Sequence, residues 1–172
     1  MPADVAAIIV MGVAGSGKTT VGTALAAALG SRFVDADDLH APESIAKMAR
    51  NEALDDADRG PWLDRLRAII GGALAGEGRL VLACSALKAS YRARLAGGDA
   101  GERVRFVYLA GTPELFRARL AGRAGHFMKP AMLDSQFAAL EPPADAITVD
   151  AARPVAQIVA QIVSDVRAPI AS

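Results

Sequence analysis

The sequence contains a single cysteine, Cys84, among 172 residues, so no disulfide can form within the chain. A lone thiol fits a reducing compartment, and we expect the protein in the cytoplasm. No apolar run approaches the roughly 18 residues that a membrane-spanning helix needs. The first residues carry an acid and no basic cluster, which argues against a signal peptide. The sequence therefore predicts no membrane partner.

A net charge of either sign is also lacking. The 19 lysines and arginines balance the 19 aspartates and glutamates, so bulk electrostatics favours neither nucleic acid nor a membrane surface as a partner. Hydrophobic residues make up 52% of the chain, which is enough for a core and unlike a disordered segment. Because no repeat or low-complexity linker interrupts the chain, we expect one domain over residues 1–172.

Lysine is scarce in this sequence. Only four of the 19 basic residues are lysines. They are Lys18, Lys47, Lys88 and Lys129. Against an arginine background, a lysine can mark a position where a compact, rotatable ammonium is needed. Drift among four residues explains the same count equally well.

The strongest pattern that is present lies at residues 12–19, GVAGSGKT. It fits the P-loop pattern G-x-x-x-x-G-K-[ST] at every fixed position, follows a buried-strand pattern at 5–10 and precedes a helical pattern. Backbone N–H groups of such a loop and of the following helix surround a phosphate. The pattern predicts a nucleoside triphosphate site made of Gly12, Gly15, Ser16, Gly17, Lys18, Thr19 and Thr20. Lys18 would reach the β- and γ-phosphates, and Thr19 would offer its hydroxyl to Mg²⁺.

Strand and helix patterns alternate along the rest of the chain. Further strands are predicted at 32–37, 80–84, 104–109 and 146–150. Helices are predicted after residue 42, from Asp58 as N-cap, from Ser85 or Ala86, and near 112–120, 133–140 and 155–166. This alternation predicts an α/β sandwich of three layers, with a five-stranded parallel sheet, helices on both faces, and ligands at the carboxyl ends of the strands. A glycine-punctuated, basic and apolar segment at about 122–134 favours a mobile lid.

Two acids end the second predicted strand. Side chains two apart on an extended segment point the same way, so Asp35 and Asp37 can face one pocket. One can support Mg²⁺ directly or through water, and the other can accept the proton of an attacking hydroxyl. A solvated acidic turn is the alternative. His40, which follows, fits either a surface or capping position or a hydrogen bond to a polar substrate.

Several cations follow the third and fourth strands. Lys88 and Arg92 have the i,i+4 spacing of one helix face, and with a helix start they suit an anionic group such as a carboxylate. A solvated face is the alternative. Arg59 can pair with neighbouring acids or reach the substrate. Arg119 and Arg123 share the same spacing and lead into the lid, where arginines can neutralise a phosphoryl group in transfer.

Several separated motifs resemble those of the small P-loop gluconate kinases, which are related to shikimate and nucleoside monophosphate kinases. Besides the P-loop, these motifs are residues 35–40, 45–48, 54–63 (LDDADRGPWL), 84–88 (CSALK) with 91–92, 125–128, 135–137 and 140–141. The resemblance runs from the P-loop to about Pro154. Ala36 stands where the family usually has glycine. Ser44, Asn51 and Ala53 replace asparagine, glycine and proline; asparagine can take the left-handed conformation of the glycine it replaces.

This resemblance implies transfer of the γ-phosphate of ATP, with Mg²⁺, to the 6-hydroxyl of D-gluconate. It implies that Asp37 is the base or orients the hydroxyl, and that Asp35 supports Mg²⁺ through water. The residues implied for the sugar acid are Asp37, His40, Lys47, Arg59, Lys88, Arg92 and, from the lid, His126. Lys18 and Arg123 complete the implied catalytic set, and Arg119, Arg123 and Pro154 would contact the nucleotide. The family also tends to form homodimers.

Two other functions fit parts of the same pattern. The first is a sister kinase that acts on shikimate or another sugar acid. The second is a nucleotide-binding regulator that has lost catalysis, which should show erosion of the acids or of the P-loop lysine. Asp35, Asp37, Lys18 and Thr19 are all intact, which disfavours the regulator.

Overall fold

The computed structural model describes residues 5–99, 102–122 and 130–168. Its strands are β1 (Ala7–Met11), β2 (Arg32–Asp35), β3 (Leu80–Ala83), β4 (Val104–Ala110) and β5 (Ile147–Asp150). They form one sheet in the order β2-β3-β1-β4-β5, and every neighbouring pair is parallel. The predicted five-stranded parallel sheet is therefore confirmed.

Seven α-helices join these strands over the ranges given above. They are α1 (Lys18–Leu29), α2 (Pro42–Ala49), α3 (Asp56–Leu74), α4 (Ala89–Ala96), α5 (Pro113–Ala121), α6 (Pro130–Ala139) and α7 (Val155–Arg167). None of the helices that can be described is long and apolar enough to cross a membrane. The longest, α3, carries charged residues throughout its first half.

The core consists of two layers of buried side chains, one on each face of the sheet. Successive side chains of a strand point to opposite faces, so Ile8 and Val10 of β1 pack with α1 and α7, whereas Ile9 and Met11 pack with α3. The sheet is thus covered on both faces, as the sequence predicts for an all-parallel sheet.

The second strand ends earlier than the sequence predicts. β2 stops at Asp35, and a 3₁₀-helix follows over Ala36–Leu39. The Asp35 carboxylate accepts the backbone N–H of Asp37 at 3.0 Å, and this local side-chain bond turns the chain out of the extended conformation. The prediction that Asp35 and Asp37 share one extended segment was therefore wrong.

Two helix starts also differ from the prediction. Asp55 caps α3, because its carboxylate accepts the N–H of Asp58 at 2.7 Å while the Asp58 carboxylate accepts the N–H of Asp55 at 3.0 Å. This reciprocal capping box places Asp58 inside the first turn. Helix α4 begins at Ala89 and not at Ser85 or Ala86, since Ala86 has a φ of +46°, which lies outside the right-handed helical region.

One replacement noted in the sequence has a clear structural reason. Asn51 has a φ of +57°, so it adopts the left-handed conformation for which asparagine can stand in for glycine. The predicted lid at about 122–134 lies mostly outside the described residues, and the part from Pro130 onward belongs to α6.

We expect Ile162→Ala to lower the free energy of unfolding by about 2–5 kcal/mol, because it leaves a cavity in a close-packed core. Ile162 of α7 is fully buried against the sheet. Denaturant unfolding measures the change. Gln157→Ala on the exposed face of the same helix is the control and should change stability by no more than about 0.5 kcal/mol. Equal effects of the two variants would contradict this account of the core.

Candidate functional site

The loop between β1 and α1 has the geometry of a phosphate cradle. Gly15 and Gly17 have φ values of +80° and +96°, a region that glycine enters without strain. A Cβ on Gly15 would lie 2.9 Å from the carbonyl oxygen of Phe116. The Ser16 hydroxyl oxygen is buried and has no hydrogen-bond partner within the described structure. An unpartnered buried hydroxyl beside the unpaired N–H groups of a helix start fits a phosphate oxygen.

The two residues after the loop face its open side. The Lys18 ammonium donates to the carbonyl oxygen of Val13 at 3.1 Å, so this side chain folds over the loop. The Thr19 hydroxyl donates to an Asp35 carboxylate oxygen at 2.6 Å. Mg²⁺ prefers oxygen ligands and in kinases usually takes one or two side chains together with phosphate and water. The hydroxyl and carboxylate therefore fit the predicted Mg²⁺ position beside a triphosphate.

Two side chains from distant elements hold the loop in place. The Gln136 side-chain oxygen of α6 accepts the N–H of Ala14 at 2.7 Å. Arg119 of α5 donates to the carbonyl oxygens of Ser16 at 3.4 Å and Ala151 at 2.5 Å. Arg119 therefore joins the P-loop to the segment after β5.

Of the remaining residues predicted for the nucleotide or the lid, Pro154 and Thr20 lie within the described structure. Pro154 caps the start of α7, close in sequence to the carbonyl that Arg119 binds. Thr20 lies in the first turn of α1 and is exposed. Arg123 and His126 lie outside the described residues.

Asp37 occupies the 3₁₀-helix, and its side chain is 81% exposed. The carboxyl is accessible to solvent, but the protein around it reduces its hydration, and this desolvation raises the pKa of Asp37. The Lys18 ammonium opposes this increase, and the Asp35 carboxylate reinforces it. Asp37 is thus electrostatically connected to the P-loop, although the local turn and not an extended strand brings the two acids together.

His40 lies beside Asp37 in a drier position. Its Nε2 is 3.9 Å from an Asp37 carboxylate oxygen, and its side chain is only 6% exposed. The imidazole stacks on Trp62 with ring centroids 4.4 Å apart and an interplanar angle of 12°. Burial lowers the pKa of His40, against the opposing effect of Asp37. Burial therefore favours the neutral imidazole, and its Nδ1 is buried without a partner among the described residues.

Both lysines that were predicted to bind the substrate form ion pairs with aspartates. Lys47 donates to the Asp58 carboxylate at 2.9 Å, and Lys88 donates to the Asp56 carboxylate at 3.4 Å. The Tyr91 hydroxyl donates to the same Asp56 oxygen at 2.5 Å. An anionic substrate would therefore meet ammonium groups whose positions these acids already restrict.

A pocket lies between the start of α3 and the turn that follows β3. Its lining residues are Arg59, Trp62, Ser85, Leu87, Lys88, Tyr91 and Ala139. The Arg59 guanidinium carbon lies 5.6 Å from the centroid of the Tyr91 ring, and the Lys88 ammonium lies 5.3 Å from it. Two cations beside one phenol ring in a concave site suit a small polar anion.

Arg92 has a different environment from the one that the sequence predicts. It is 9% exposed, and its guanidinium donates to the carbonyl oxygens of Ala86 at 2.8 Å, Leu87 at 3.1 Å and Glu141 at 2.8 Å. Lys88 precedes α4 as its N-cap, so the expected shared helix face of Lys88 and Arg92 was wrong. Arg92 stabilises the turn after β3 and is not among the residues that line the pocket.

Three residues at the site received no role from the sequence, although they lie in its motifs. Trp62 donates its indole N–H to the carbonyl oxygen of Ala36 at 2.7 Å. Gln136 binds the P-loop, and the Glu141 carboxylate accepts the N–H of Ala89 at 2.5 Å. Each binds a backbone group far away in the chain, and local periodicity carries no signal for such contacts. Their presence in the family motifs was the only feature of the sequence that indicated a role at the site.

We expect Gly15→Ala to weaken ATP binding by about tenfold or more, because a side chain at a positive φ costs about 1–3 kcal/mol and its Cβ would meet the Phe116 carbonyl. Titration calorimetry with a non-hydrolysable ATP analogue measures the effect. Gly71→Ala in α3 is the control, since a Cβ there meets no heavy atom within 4 Å, and it should keep the wild-type affinity. Unchanged affinity of Gly15→Ala would contradict the phosphate cradle.

Comparison with known proteins gives consistent results. The family model described as "AAA domain" matches residues 8–143. A probable gluconokinase from Mus musculus is 46% identical over 79% of this chain and 82% of its own length. The thermosensitive gluconokinase of Escherichia coli is 41% identical over 89% of this chain and 83% of its own.

A solved structure agrees with these sequence relatives. A gluconokinase from Sinorhizobium meliloti superimposes with a TM-score of 0.80 at 43% identity, covering 92% of this chain and 89% of that one. The residues that the family model matches include the P-loop, the acid pair and the pocket described above. The chain therefore belongs to the gluconokinase family of P-loop kinases.

Proposed function

We propose that the protein transfers the γ-phosphate of ATP to the 6-hydroxyl of D-gluconate, giving 6-phosphogluconate and ADP. The observation that carries the proposal is the position of Asp37. Its carboxyl interacts electrostatically with Lys18 of the P-loop, and one of its oxygens lies 3.9 Å from Nε2 of His40. His40 stacks on Trp62 of the pocket lining. A group that accepts a hydroxyl proton must occupy such a position between donor and acceptor.

On the donor side, the P-loop residues bind the ATP phosphates and Lys18 carries positive charge to the β- and γ-phosphates. Thr19, and Asp35 through a water molecule, would hold Mg²⁺, which supplies charge neutralisation during phosphoryl transfer. Arg119 is held against the loop, and with Arg123 it would neutralise further charge. Pro154 and its loop would border the nucleotide base.

On the acceptor side, Asp37 orients the 6-hydroxyl and takes its proton. The neutral imidazole of His40 can donate or accept one hydrogen bond to a sugar hydroxyl. The Arg59 guanidinium and the ammonium groups of Lys47 and Lys88 would neutralise and hold the carboxylate. We assign Arg92 to support of this half of the site, since its guanidinium binds three backbone carbonyls.

The proposal includes two properties of the protein as a whole. The lone buried cysteine supports a cytoplasmic enzyme, and the family resemblance supports a homodimer. His126 from the lid segment would complete the substrate contacts.

We expect ADP release from ATP and Mg²⁺ to depend on gluconate. A coupled ADP-release assay over a panel of sugar acids, with shikimate included, measures it. Lys18→Ala should lose activity with every acceptor, because the lysine acts on the shared donor phosphates. Strong turnover with shikimate and none with gluconate would refute the substrate. ATP binding without turnover on any acceptor would indicate the regulator instead.

We expect Asp37→Asn to lower kcat by about 10²-fold or more, because an amide cannot accept the hydroxyl proton. Proton acceptance needs the ionised carboxylate, so wild-type kcat/KM should fall as the pH drops through the pKa of Asp37. Since desolvation raises that pKa, the fall should lie at a higher pH than for an ordinary aspartate. Steady-state rates across the acid range measure both effects.

The control for this variant is the neighbouring acid. Asp38 is exposed and has no role in the proposed mechanism, so Asp38→Asn should keep kcat close to the wild-type value. A near-normal kcat in Asp37→Asn would remove the assignment of the base. So would a decrease of kcat/KM at low pH in Asp37→Asn that matches the wild type.

A further inference from the structure

We propose that Trp62 and Arg65 of α3 are positioning residues, which hold the 3₁₀-helix that carries Asp37 and set the orientation of the neighbouring His40. This inference rests on the proposed function for the role of Asp37. The geometry of the contacts is independent of that function.

Two side chains of α3 bind the two ends of the short helix. The Trp62 indole N–H donates to the carbonyl oxygen of Ala36 at 2.7 Å, and the Arg65 guanidinium donates to that of Leu39 at 2.6 Å. Residues three apart in an α-helix lie on the same face. Ala36 and Leu39 are the first and last residues of the 3₁₀-helix. One face of α3 therefore holds the segment at both ends, with Asp37 between them.

The segment needs such external support. A 3₁₀-helix of four residues has few and poorly aligned internal hydrogen bonds, and the Asp37 side chain is 81% exposed, so little packing orients it. The direction of its carboxylate consequently depends on the backbone. Ala36 is fully buried, and a buried carbonyl requires a donor, which Trp62 supplies.

The same indole also orients His40. Its ring lies parallel to the imidazole at 4.4 Å between centroids, and Trp62 is itself 4% exposed. The N–H of Trp62 thus controls the backbone next to Asp37, while its ring face controls the imidazole that lies 3.9 Å from the Asp37 carboxylate. Because a small displacement of a catalytic group reduces the rate strongly, these contacts affect turnover more than nucleotide binding.

Replacing Trp62 by phenylalanine tests the role of the indole N–H separately from that of the aromatic ring. Trp62→Phe keeps an aromatic face for His40 but removes the donor to Ala36. We expect kcat to fall about tenfold, with the KM for ATP within about twofold of wild type, since a misplaced reacting group affects the chemical step. Arg65→Met should change kcat in the same direction by a smaller factor, since Arg65 is exposed.

The matched control is Arg67→Met. Arg67 also lies on α3 and donates to backbone carbonyls, those of Leu95 and Ala96 at 2.9 and 3.3 Å, but at the far end of α4. This variant should lose a similar amount of thermal stability and keep wild-type kcat below its melting temperature. If Trp62→Phe keeps kcat within about twofold while its Tm falls like that of Arg67→Met, the Trp62 contact is structural only and the inference is overturned.

A second measurement needs no turnover. The chain has two histidines, so in a His126→Gln background the imidazole C–H signals in proton NMR come from His40 alone. His40 is faced by Asp37, Arg59 and Arg65, and its titration midpoint should lie below that of an ordinary histidine. Trp62→Leu should raise this midpoint, because water then reaches the imidazole. An unchanged midpoint would overturn the role of the indole ring.

The two measurements distinguish failure of this inference from failure of the proposed function. If the wild-type enzyme phosphorylates no sugar acid, the proposed function fails, and the His40 titration in Trp62→Leu still decides whether the indole sets the environment of His40. If gluconate is phosphorylated and Trp62→Phe is as fast as wild type, the inference fails and the proposed function stands.

Discussion

The site depends on the parallel register of β1, β3 and β2. Ala83 pairs with Val10 of β1 on one side and with Asp35 of β2 on the other, so the carboxyl ends of the three strands lie level. The P-loop leaves β1 at that level, and the acid segment leaves β2 there. The 2.6 Å hydrogen bond between Thr19 and Asp35 is a direct result. Without this register, the phosphate cradle and the acids would lie at different heights on the sheet.

The same edge of the sheet places a carboxyl and an imidazole in contrasting surroundings. Desolvation raises the pKa of Asp37, and burial lowers the pKa of His40. Desolvation disfavours the charged form of both groups, so the pKa of the carboxyl and the pKa of the imidazole move towards each other. Lys18 and Asp37 then counteract part of each change. The site therefore contains an imidazole whose neutral form is favoured and a carboxylate that is a better proton acceptor than an ordinary aspartate, which suits abstraction of a hydroxyl proton.

Helix α6 and the residues after it join the donor half of the site to the acceptor half. Gln136 accepts an N–H of the P-loop. Glu141 donates its N–H to the Leu87 carbonyl at 2.9 Å and accepts from Ala89, while Arg92 binds its carbonyl oxygen. A single short stretch thus supports the phosphate loop and the turn that carries Lys88. This arrangement explains why Gln136 and Glu141 belong to the motifs, because each provides a hydrogen-bond partner for a backbone group at one half of the site.

Local chemistry allowed the sequence by itself to determine the layered α/β fold, the parallel sheet and the P-loop. The alternation of strand and helix patterns and the glycine-lysine spacing are encoded within short windows. Tertiary structure decided how the acids meet, because the turn at Asp37 depends on the Asp35 carboxylate and on Trp62. It also decided that Arg92 binds carbonyls. The Trp62–Ala36 and Arg92–Glu141 contacts join residues far apart in the chain, and no local pattern specifies which buried backbone group a side chain will satisfy.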